Sequence, residues 1–258
     1  MSSNICPFKF KSLAERKSRN NIYYEIFKWK MQQAPKNINQ FCDSSLNGTE
    51  RKSLVCWLRN LEDKTSSQYL QIVFSFSIPN SENLEKISSL GKAVISAGAG
   101  TGYWEYLLSR FYGVDVIAFD SNTTYPENMH YMLIKKDGPE ILKNFGDRAL
   151  FLAWPDKDEE STFSSDCLLH YGGDIVIHVG ELFGETFSKN PWGQSTSRSF
   201  QLKLAEEFRC MYRRRLTSWP GYIDTLSIWC RIDSAIDCDG GMFCYVPAGY
   251  STCLAGEI

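Results

Sequence analysis

The sequence lacks the features that define several large classes of protein. No apolar run approaches the ~20 residues that a membrane-spanning helix requires, and the N-terminal stretch MSSNICPFKFKSLAERKSRNN has no apolar core of the kind that a secretory signal contains. The formal net charge is only −2, so no overall field draws the chain to nucleic acid or to a membrane surface. We therefore expect no membrane partner, and charge gives a nucleic-acid partner no support.

The sequence also lacks the cysteine and histidine patterns of crosslinked or metal-binding proteins. Its nine cysteines are odd in number and scattered, and they include no CxxC pair, so a disulfide framework and a zinc knuckle are both disfavoured. The three histidines, His130, His170 and His178, share no metal-ligand spacing, and no metal site is predicted. Reduced thiols fit a cytoplasmic or nuclear location, which is our expectation for this chain.

What is present is an ordinary globular composition with a regular alternation of elements. The chain has 258 residues, of which 43% are hydrophobic and 22% charged, as expected for one large domain with or without an appendage. From residue 92 onward apolar runs alternate with helical patterns, which predicts a mostly parallel sheet with helices on both faces. The last two strand-like runs are joined by so short a link that they must pair antiparallel. The predicted strands are 93–96, 114–119, 132–135, 149–153, 175–179, 210–216 and 225–231, and the predicted helices beside them are 103–112, 139–144, 162–170 and 200–207.

Three glycines on alternate positions separate the first predicted strand from the first helix of this α/β region. They are Gly98, Gly100 and Gly102, within VISAGAGTGYW. Glycine lets the backbone approach a ligand where a Cβ atom would clash, and the following helix directs its N-terminus at the same place. Such a turn is typical of sites for adenosine-containing ligands, and NAD, FAD and S-adenosylmethionine are all compatible with it.

The spacing of the glycines narrows this choice. A dinucleotide fingerprint, GxGxxG, would place its third glycine where this chain has Tyr103. The observed GxGxG suits a ligand without a pyrophosphate, which disfavours a nicotinamide oxidoreductase. Asp120 ends the next predicted strand, where a carboxylate can accept hydrogen bonds from ribose hydroxyls.

Six motifs in a fixed order resemble a family of class I S-adenosylmethionine-dependent methyltransferase-like proteins. In this sequence they are SAGAGTGYW (96–104), GVDVIAFD (113–120), DGPEIL (137–142), RALFLAWPD (148–156), YGGDIVIHVGE (171–181) and WPGYIDTLSIW (219–229). The resemblance implies a Rossmann-like class I methyltransferase fold of seven strands, with S-adenosylmethionine as the cofactor. With the upstream stretch FSIPNSENLEKI (76–87), which also resembles the family, it covers residues 76–231 as a methyltransferase-like domain, and we expect residues 1–75 to form an N-terminal helical and loop extension. Residues 232–258 are a C-terminal tail of unknown role.

The resemblance also implies a set of cofactor-binding residues. Carried over by position, they are Gly98, Gly100, Gly102 and Asp120. Ser96 stands where the family has an acid, and in class I methyltransferases such an acid helps to hold the methionine end of the cofactor. A serine still offers a hydrogen bond but brings no charge to meet an ammonium group.

The predicted turn after the fourth strand departs from the family in a second way. The family's WPPY is here Trp154-Pro155-Asp156-Lys157. We expect Trp154 to pack against the cofactor or a flat acceptor and Pro155 to stiffen the turn. Asp156 is a candidate catalytic base, or a carboxylate whose attraction to the sulfonium slows transfer; the alternative is a residue of a solvated loop that caps the next helix with its negative charge. Glu181 ends the fifth strand and either orients a substrate or accepts a hydrogen bond within its loop.

Together these patterns predict an S-adenosylmethionine-binding, methyltransferase-like protein. The alternative is a catalytically weak or inactive binding or scaffold protein on the same fold, since fold does not fix function. The methyl acceptor is not identified by the sequence, and nucleic acid, protein and small molecule all stay open. The oligomeric state is open as well.

Overall fold

The computed structural model describes residues 6–35, 45–58, 66–121, 124–156 and 160–232. In these ranges the α-helices are α1 Leu13–Lys17, α2 Ile22–Gln32, α3 Gly48–Leu58, α4 Ser67–Val73, α5 Ser81–Ser88, α6 Tyr103–Tyr112, α7 Phe163–His170 and α8 Arg198–Glu207. The strands are β1 Val94–Ala97, β2 Val116–Asp120, β3 Ile134–Lys136, β4 Ala149–Ala153, β5 Ile175–Gly180, β6 Phe208–Arg215 and β7 Thr225–Arg231. Two short 3-10 helices span Glu127–Met129 and Pro139–Asn144.

The seven strands form a single sheet in the order β3-β2-β1-β4-β5-β7-β6. Strands β1 to β5 pair in parallel, whereas β7 is antiparallel to both β5 and β6. This arrangement confirms the predicted Rossmann-like class I methyltransferase fold with its antiparallel C-terminal hairpin. The strand order reverses beside β1, because β2 lies on one side of it and β4 on the other, and ligands bind at the carboxyl ends of strands at such a point.

Two hydrophobic cores cover the two faces of the sheet. Successive residues of a strand point to opposite faces, so β1 sends Val94 into one core and Ile95 into the other, and β5 does the same with Ile177 and Val176. Helices α2, α4, α5 and α6 contribute to the first core, and α7 and α8 to the second. A sheet buried on both faces explains why its central strands are nearly continuous apolar runs.

Helix ends follow the sequence signals at most positions. Helix α6 has the predicted bounds, and Gly113 ends it in the left-handed region at φ +68°. Asn80 begins α5, and its side chain accepts a hydrogen bond from the Asn83 N–H at 2.9 Å. Helix α4 was not predicted, because a polar stretch hides its start at Ser66, whose hydroxyl caps the helix.

The N-terminal residues are held more firmly than their basic composition indicates. A mobile arm is predicted for residues 1–20, but within the described part Phe10 is 5% exposed and Arg16 is 6% exposed. Helix α1 begins with a capping box in which Ser12 and Glu15 each bond to the other's backbone N–H. The prediction of a mobile arm is therefore wrong for this segment.

Two predicted features lie outside the described residues. They are most of the C-terminal tail, residues 233–258, and the middle of the acidic run that follows Asp156, residues 157–159. Among the residues that are described, no helix combines the length and the apolar character needed to cross a bilayer.

Candidate functional site

A cleft of about 690 Å³ lies at the carboxyl ends of β1, β2 and β4. Its floor is the turn from β1 to α6, and its walls are the segments that follow β2 and β4. The loop between α4 and α5 closes a further side. The lining residues comprise Gln71, Phe74–Ser77, Gly98–Thr101, Tyr103–Glu105, Asp120, Ser121, Thr124, Tyr125, Ala153–Asp156, Ser161, Phe163 and Gln194.

The three glycines of the floor all adopt left-handed backbone angles. Gly98, Gly100 and Gly102 have φ values of +70°, +56° and +73°, which glycine adopts at little cost and other residues do not. Space is also limited, because a Cβ on Gly98 would lie 3.0 Å from the Phe163 ring and one on Gly102 would lie 3.1 Å from Ile134. Conformation and space together require glycine here, and they keep the backbone open to a ligand.

Asp120 ties this turn to the end of β2. Its Oδ2 atom accepts a hydrogen bond from the Gly100 N–H at 2.7 Å, and its carboxylate faces the cleft. The contact holds the carboxylate and the glycine turn in one rigid unit. The contact with ribose hydroxyls that the sequence predicts for Asp120 stays a prediction.

Ser96 of β1 is paired with an acidic side chain. It is 1% exposed, and its hydroxyl donates a hydrogen bond to Oε1 of Glu105 at 2.5 Å. Glu105 lies in the first turn of α6, lines the cleft and is 2% exposed. Burial raises its pKa to about 7, opposed by the Ser96 hydrogen bond and helped by the charge of Asp120.

Sequence reasoning missed Glu105, although a signal was available. Glu105 precedes Leu108 by three residues, and such residues share one face of a helix. Because Leu108 belongs to the apolar face of α6 that the core buries, the spacing indicates burial of the acid at 105, which is 2% exposed in the structure. A buried acid at the start of a helix beside a glycine turn is typical of a functional position.

Trp154 borders the cleft in a strained conformation. It is the one non-glycine residue with positive φ, +50°, in the described part of the chain. Its ring stacks on Phe76 with centroids 5.4 Å apart and planes at 13°, and meets Tyr222 edge-on at 5.5 Å. The indole Nε1–H donates to Oδ1 of Asp224 at 2.7 Å, and Pro155 follows it in the lining. Strain of this kind persists only where neighbours over-determine it.

Asp224 is the anchor of this aromatic group and was also missed by the sequence reading. It is 2% exposed. Burial raises its pKa to about 7, and the nearby charge of Glu181 raises it further, while the Trp154 hydrogen bond lowers it. A carboxyl in this range holds the indole whether or not it carries a proton, because the oxygen that accepts from Nε1 is present in both forms.

Asp156 borders the cleft, but both of its carboxylate oxygens accept hydrogen bonds from other protein groups. Oδ1 accepts from the Ser161 hydroxyl at 2.7 Å and from the Ser164 N–H at 3.1 Å, while Oδ2 accepts from the Ser197 N–H at 2.8 Å and from the Ser164 hydroxyl. Ser164 lies in the first turn of α7, and Ser197 is the N-cap of α8. The contacts agree with the predicted alternative in that Asp156 caps the next helix, but the solvated position of that prediction is wrong for Asp156, which is 4% exposed.

Glu181 lies outside the cleft. It is fully buried, and its Oε2 accepts from the Thr186 hydroxyl at 2.8 Å and from the Gln194 N–H at 3.0 Å. Its Oε1 accepts from the Ile223 N–H at 3.3 Å. These contacts tie the loop after β5 to the loop before β7, as in the alternative of a hydrogen-bond acceptor within its loop.

The charges around the cleft are of one sign. Carboxylates from three different elements line it, namely Glu105, Asp120 and Asp156, and no lysine or arginine occurs among the described lining residues. Such a lining disfavours polyanionic ligands and favours a ligand that carries positive charge.

The sheet order defines a class I methyltransferase fold, with a cleft at its switch point. No protein-family model matches the sequence, and no curated protein matches it. Among solved structures, the chain is similar to a mutant of MtNAS in complex with S-adenosylmethionine. The two sequences are 11% identical, the match covers 87% of this chain and 85% of that chain, and the TM-score is 0.43. It is also similar to TehB from Haemophilus influenzae, with 9% identity, coverage of 64% and 67%, and a TM-score of 0.43. The N-methyltransferase NodS from Bradyrhizobium japonicum WM9 has 11% identity, coverage of 58% and 93%, and a TM-score of 0.40.

Proposed function

We propose that this chain binds S-adenosylmethionine in the cleft and transfers its methyl group to an acceptor that is still to be identified. The observation that carries the proposal is the lining of carboxylates without a cation in the described residues, above a turn of three left-handed glycines. S-Adenosylmethionine carries a sulfonium and an ammonium group, and both are complementary to such a lining.

The same lining separates this ligand from a dinucleotide. A pyrophosphate needs backbone N–H donors at the glycine turn, often with a basic side chain. Here the Gly100 N–H already donates its hydrogen bond to Asp120, so the turn has one N–H fewer for a phosphate. The negative charge of the Asp120 carboxylate beside the turn would also repel a phosphate group. The contact supports a ligand whose ribose, not its phosphate, lies against this turn.

Each element of the cleft has a distinct part in holding the ligand. Asp120 would accept hydrogen bonds from the ribose hydroxyls, and the glycine turn would let the backbone approach the ligand closely. Trp154 and Pro155 would border the reacting end, where their rigidity limits the acceptor's approach. The cofactor supplies a methyl group already activated on sulfur, so the protein contributes alignment and exclusion of water.

The positions of the two candidate bases favour an acceptor that needs no deprotonation by Asp156 or Glu181. Both oxygens of Asp156 are engaged in capping helices, and Glu181 does not line the cleft. The same observation favours a second candidate function, a ligand-binding protein of this fold with little or no turnover. The earlier hypothesis that Asp156 attracts the sulfonium loses its basis, because its charge faces two helix N-termini.

A calorimetric titration tests the binding proposal. S-Adenosylhomocysteine should bind to the full chain and raise its melting temperature, while NAD should do neither. Asp120→Ala should weaken binding by about 1.5–3 kcal/mol, the range for hydrogen bonds to a charged group. Asp120→Asn is the matched control, since its amide oxygen can keep the Gly100 contact while the charge is lost. Absence of heat and of thermal shift with S-adenosylhomocysteine would contradict the proposal.

A labelling experiment separates the two candidate functions. Labelled S-adenosylmethionine is supplied with the protein and with separated extract fractions of protein, nucleic acid and metabolites. Transfer of label into one fraction, reduced by Asp120→Ala, supports the enzyme. Ligand binding without transfer into any fraction supports the binding protein.

A further inference from the structure

Resting on the proposed function, we infer that Glu105, positioned by Ser96, is the group that binds the ammonium of the cofactor's amino-acid end and makes binding depend on pH near neutrality. The charge comes from the first turn of α6, not from the end of β1. Ser96 and Glu105 form one unit, because the serine hydroxyl donates to Oε1 of the carboxylate at 2.5 Å.

The placement of Glu105 fits the amino-acid end of the ligand. Asp120 ends β2, on one side of β1, and Trp154 follows β4, on the other side. A ligand whose ribose lies at Asp120 and whose sulfur lies towards Trp154 crosses the end of β1. Glu105 is the carboxylate at that crossing, since it is bonded to Ser96 of β1 and lines the cleft.

The titratable groups around Glu105 are few in the described part of the cleft. Asp120 of β2, Tyr125 of the segment after β2, Tyr103 of α6 itself and Asp156 of the segment after β4 line the same cleft as Glu105, and the charge of Asp120 acts on Glu105. Helix α5 packs on α6 and buries only uncharged side chains. Burial raises the pKa of both tyrosines, so they stay neutral near pH 7. Two carboxyl groups have pKa values near 7, namely Glu105 in the cleft and Asp224, which holds Trp154 at its border, and the Glu105→Gln profile shows which part of a pH dependence belongs to Glu105.

The sign of the pH effect follows from the charge of the carboxyl group. Burial raises the pKa of Glu105 to about 7 in the free protein, so its charge is lost as pH falls below that value. An ammonium ligand prefers the charged form. Binding should therefore weaken as the solution becomes more acidic, by up to about tenfold for each pH unit below the pKa.

Two ligands that differ only at the amino-acid end test the inference. S-Adenosylhomocysteine carries the ammonium, and 5′-methylthioadenosine lacks the amino-acid part altogether. Glu105→Gln keeps the shape and the acceptor for Ser96 but removes the charge. We expect it to raise the Kd for S-adenosylhomocysteine about tenfold or more near pH 8 and to change the Kd for 5′-methylthioadenosine by less than about twofold. Glu206→Gln, an exposed acid on α8, is the matched control and should change neither.

A series of titrations at different pH values gives a result that would not change if Glu105 had only a structural role. The wild-type Kd for S-adenosylhomocysteine should be about fivefold to tenfold higher near pH 6 than near pH 7.5, while that of Glu105→Gln should be flat. Ser96→Ala should shift the wild-type profile towards higher pH, because the lost hydrogen bond stabilises the charged carboxylate. Melting curves of every variant confirm that it is folded.

The outcomes separate this inference from the function on which it rests. If the wild type binds neither ligand, the proposed function and this inference both fail. If the wild type binds both ligands and Glu105→Gln weakens both equally or neither, the inference alone is wrong. A loss confined to S-adenosylhomocysteine, together with a flat pH profile, establishes it.

Discussion

At the scale of residues, neighbouring carboxyl groups acquire different roles from their surroundings. Asp156 accepts from donors at two helix starts. Glu105 has the Ser96 hydroxyl and its own backbone N–H, and Asp224 has the Trp154 indole and the Ser218 hydroxyl. Burial without enough donors raises the pKa of Glu105 and of Asp224 to about 7. The sequence shows each of them only as an acid, because the number of donors is set by how different elements of the fold pack around it.

The raised pKa of Asp224 predicts a dependence of stability on pH. The unfolded chain ionises this group near its ordinary value of 3.8, while the folded chain keeps its proton to about pH 7. The unfolded state therefore binds fewer protons in that window, and stability falls as pH rises from about 4 to about 7. Asp224→Asn keeps an acceptor for Trp154 and cannot ionise, so this part of the loss should disappear.

Urea denaturation at both ends of this window is the measurement. The free energy of unfolding of the wild type should decline more than that of Asp224→Asn, by about 1–3 kcal/mol between pH 5 and pH 7.5. Asp147→Asn, an exposed acid in the turn before β4, should follow the wild type. Parallel profiles for wild type and Asp224→Asn would show that Asp224 ionises normally in the folded chain.

At the scale of elements, the turn from β1 to α6 and the helix after it are the part of the cleft that the sequence predicted best. The sequence predicted helix α6 with the bounds that the structure has, and Gly113 as its C-terminal stop. The apolar spacing i, i+3, i+4, i+7 also puts Phe111 on one face with Trp104 and Leu108, but Phe111 is 39% exposed. Periodicity defines a helix and its face, but the length of the partner surface decides how far along the helix that face is covered.

Substitution of the glycines at the two ends of α6 distinguishes the cost of backbone strain from the cost of steric crowding. Both Gly102 and Gly113 have positive φ, but a Cβ on Gly102 would meet Ile134 at 3.1 Å whereas one on Gly113 would meet nothing within 4 Å. Gly113→Ala should cost about 1–2 kcal/mol of stability from the left-handed angle alone. Gly102→Ala should cost more, about 2–4 kcal/mol, since overpacking is added.

Ligand titration alongside urea denaturation distinguishes the two glycine variants further. Gly102→Ala should also weaken S-adenosylhomocysteine binding, because the turn it distorts forms the floor of the cleft. Gly113→Ala should leave binding within about twofold, because it lies at the other end of the helix. Equal effects of the two substitutions on binding would mean that the turn has no specific part in holding the ligand.

At the scale of the whole molecule, the N-terminal segment belongs to the main core. Tyr23 of α2 stacks on Phe74 with ring centroids 4.8 Å apart, and Tyr103 of α6 meets Phe74 edge-on at 5.0 Å. The Trp219 Nε1–H donates to the Tyr23 hydroxyl at 2.9 Å. Because the loop that starts at Phe74 also lines the cleft, this segment supports the ligand site as well as the fold.

A substitution in this aromatic group measures that coupling. Phe74 is fully buried, so Phe74→Ala should lower the free energy of unfolding by about 3–5 kcal/mol and weaken S-adenosylhomocysteine binding. Phe111→Ala, at an exposed ring, is the matched control and should cost less than about 1 kcal/mol. Chemical denaturation and calorimetry give both quantities. A cost below about 1 kcal/mol for Phe74→Ala would show that the extension is only loosely attached to the core.

Patterns of residues close together in the sequence were enough to predict the helices, strands and turns, because these elements depend on local neighbours. The alternation of apolar runs and helical patterns predicted the sheet and its antiparallel hairpin, because periodicity reports which faces are buried. The glycine turn at Gly98, Gly100 and Gly102 and the strand end at Asp120 were recognised from the sequence because both are local features, while their contact with a cofactor stays a prediction.

The contacts between side chains across the cleft could be seen only in the tertiary structure. The pairing of Ser96 with Glu105 and of Trp154 with Asp224, and the capping of two helices by Asp156, join residues from different elements. A carboxyl group's burial, and with it its charge, depends on the packing around it. That packing is set by the folded sheet, and so the electrostatics of the cleft could be read only from the fold.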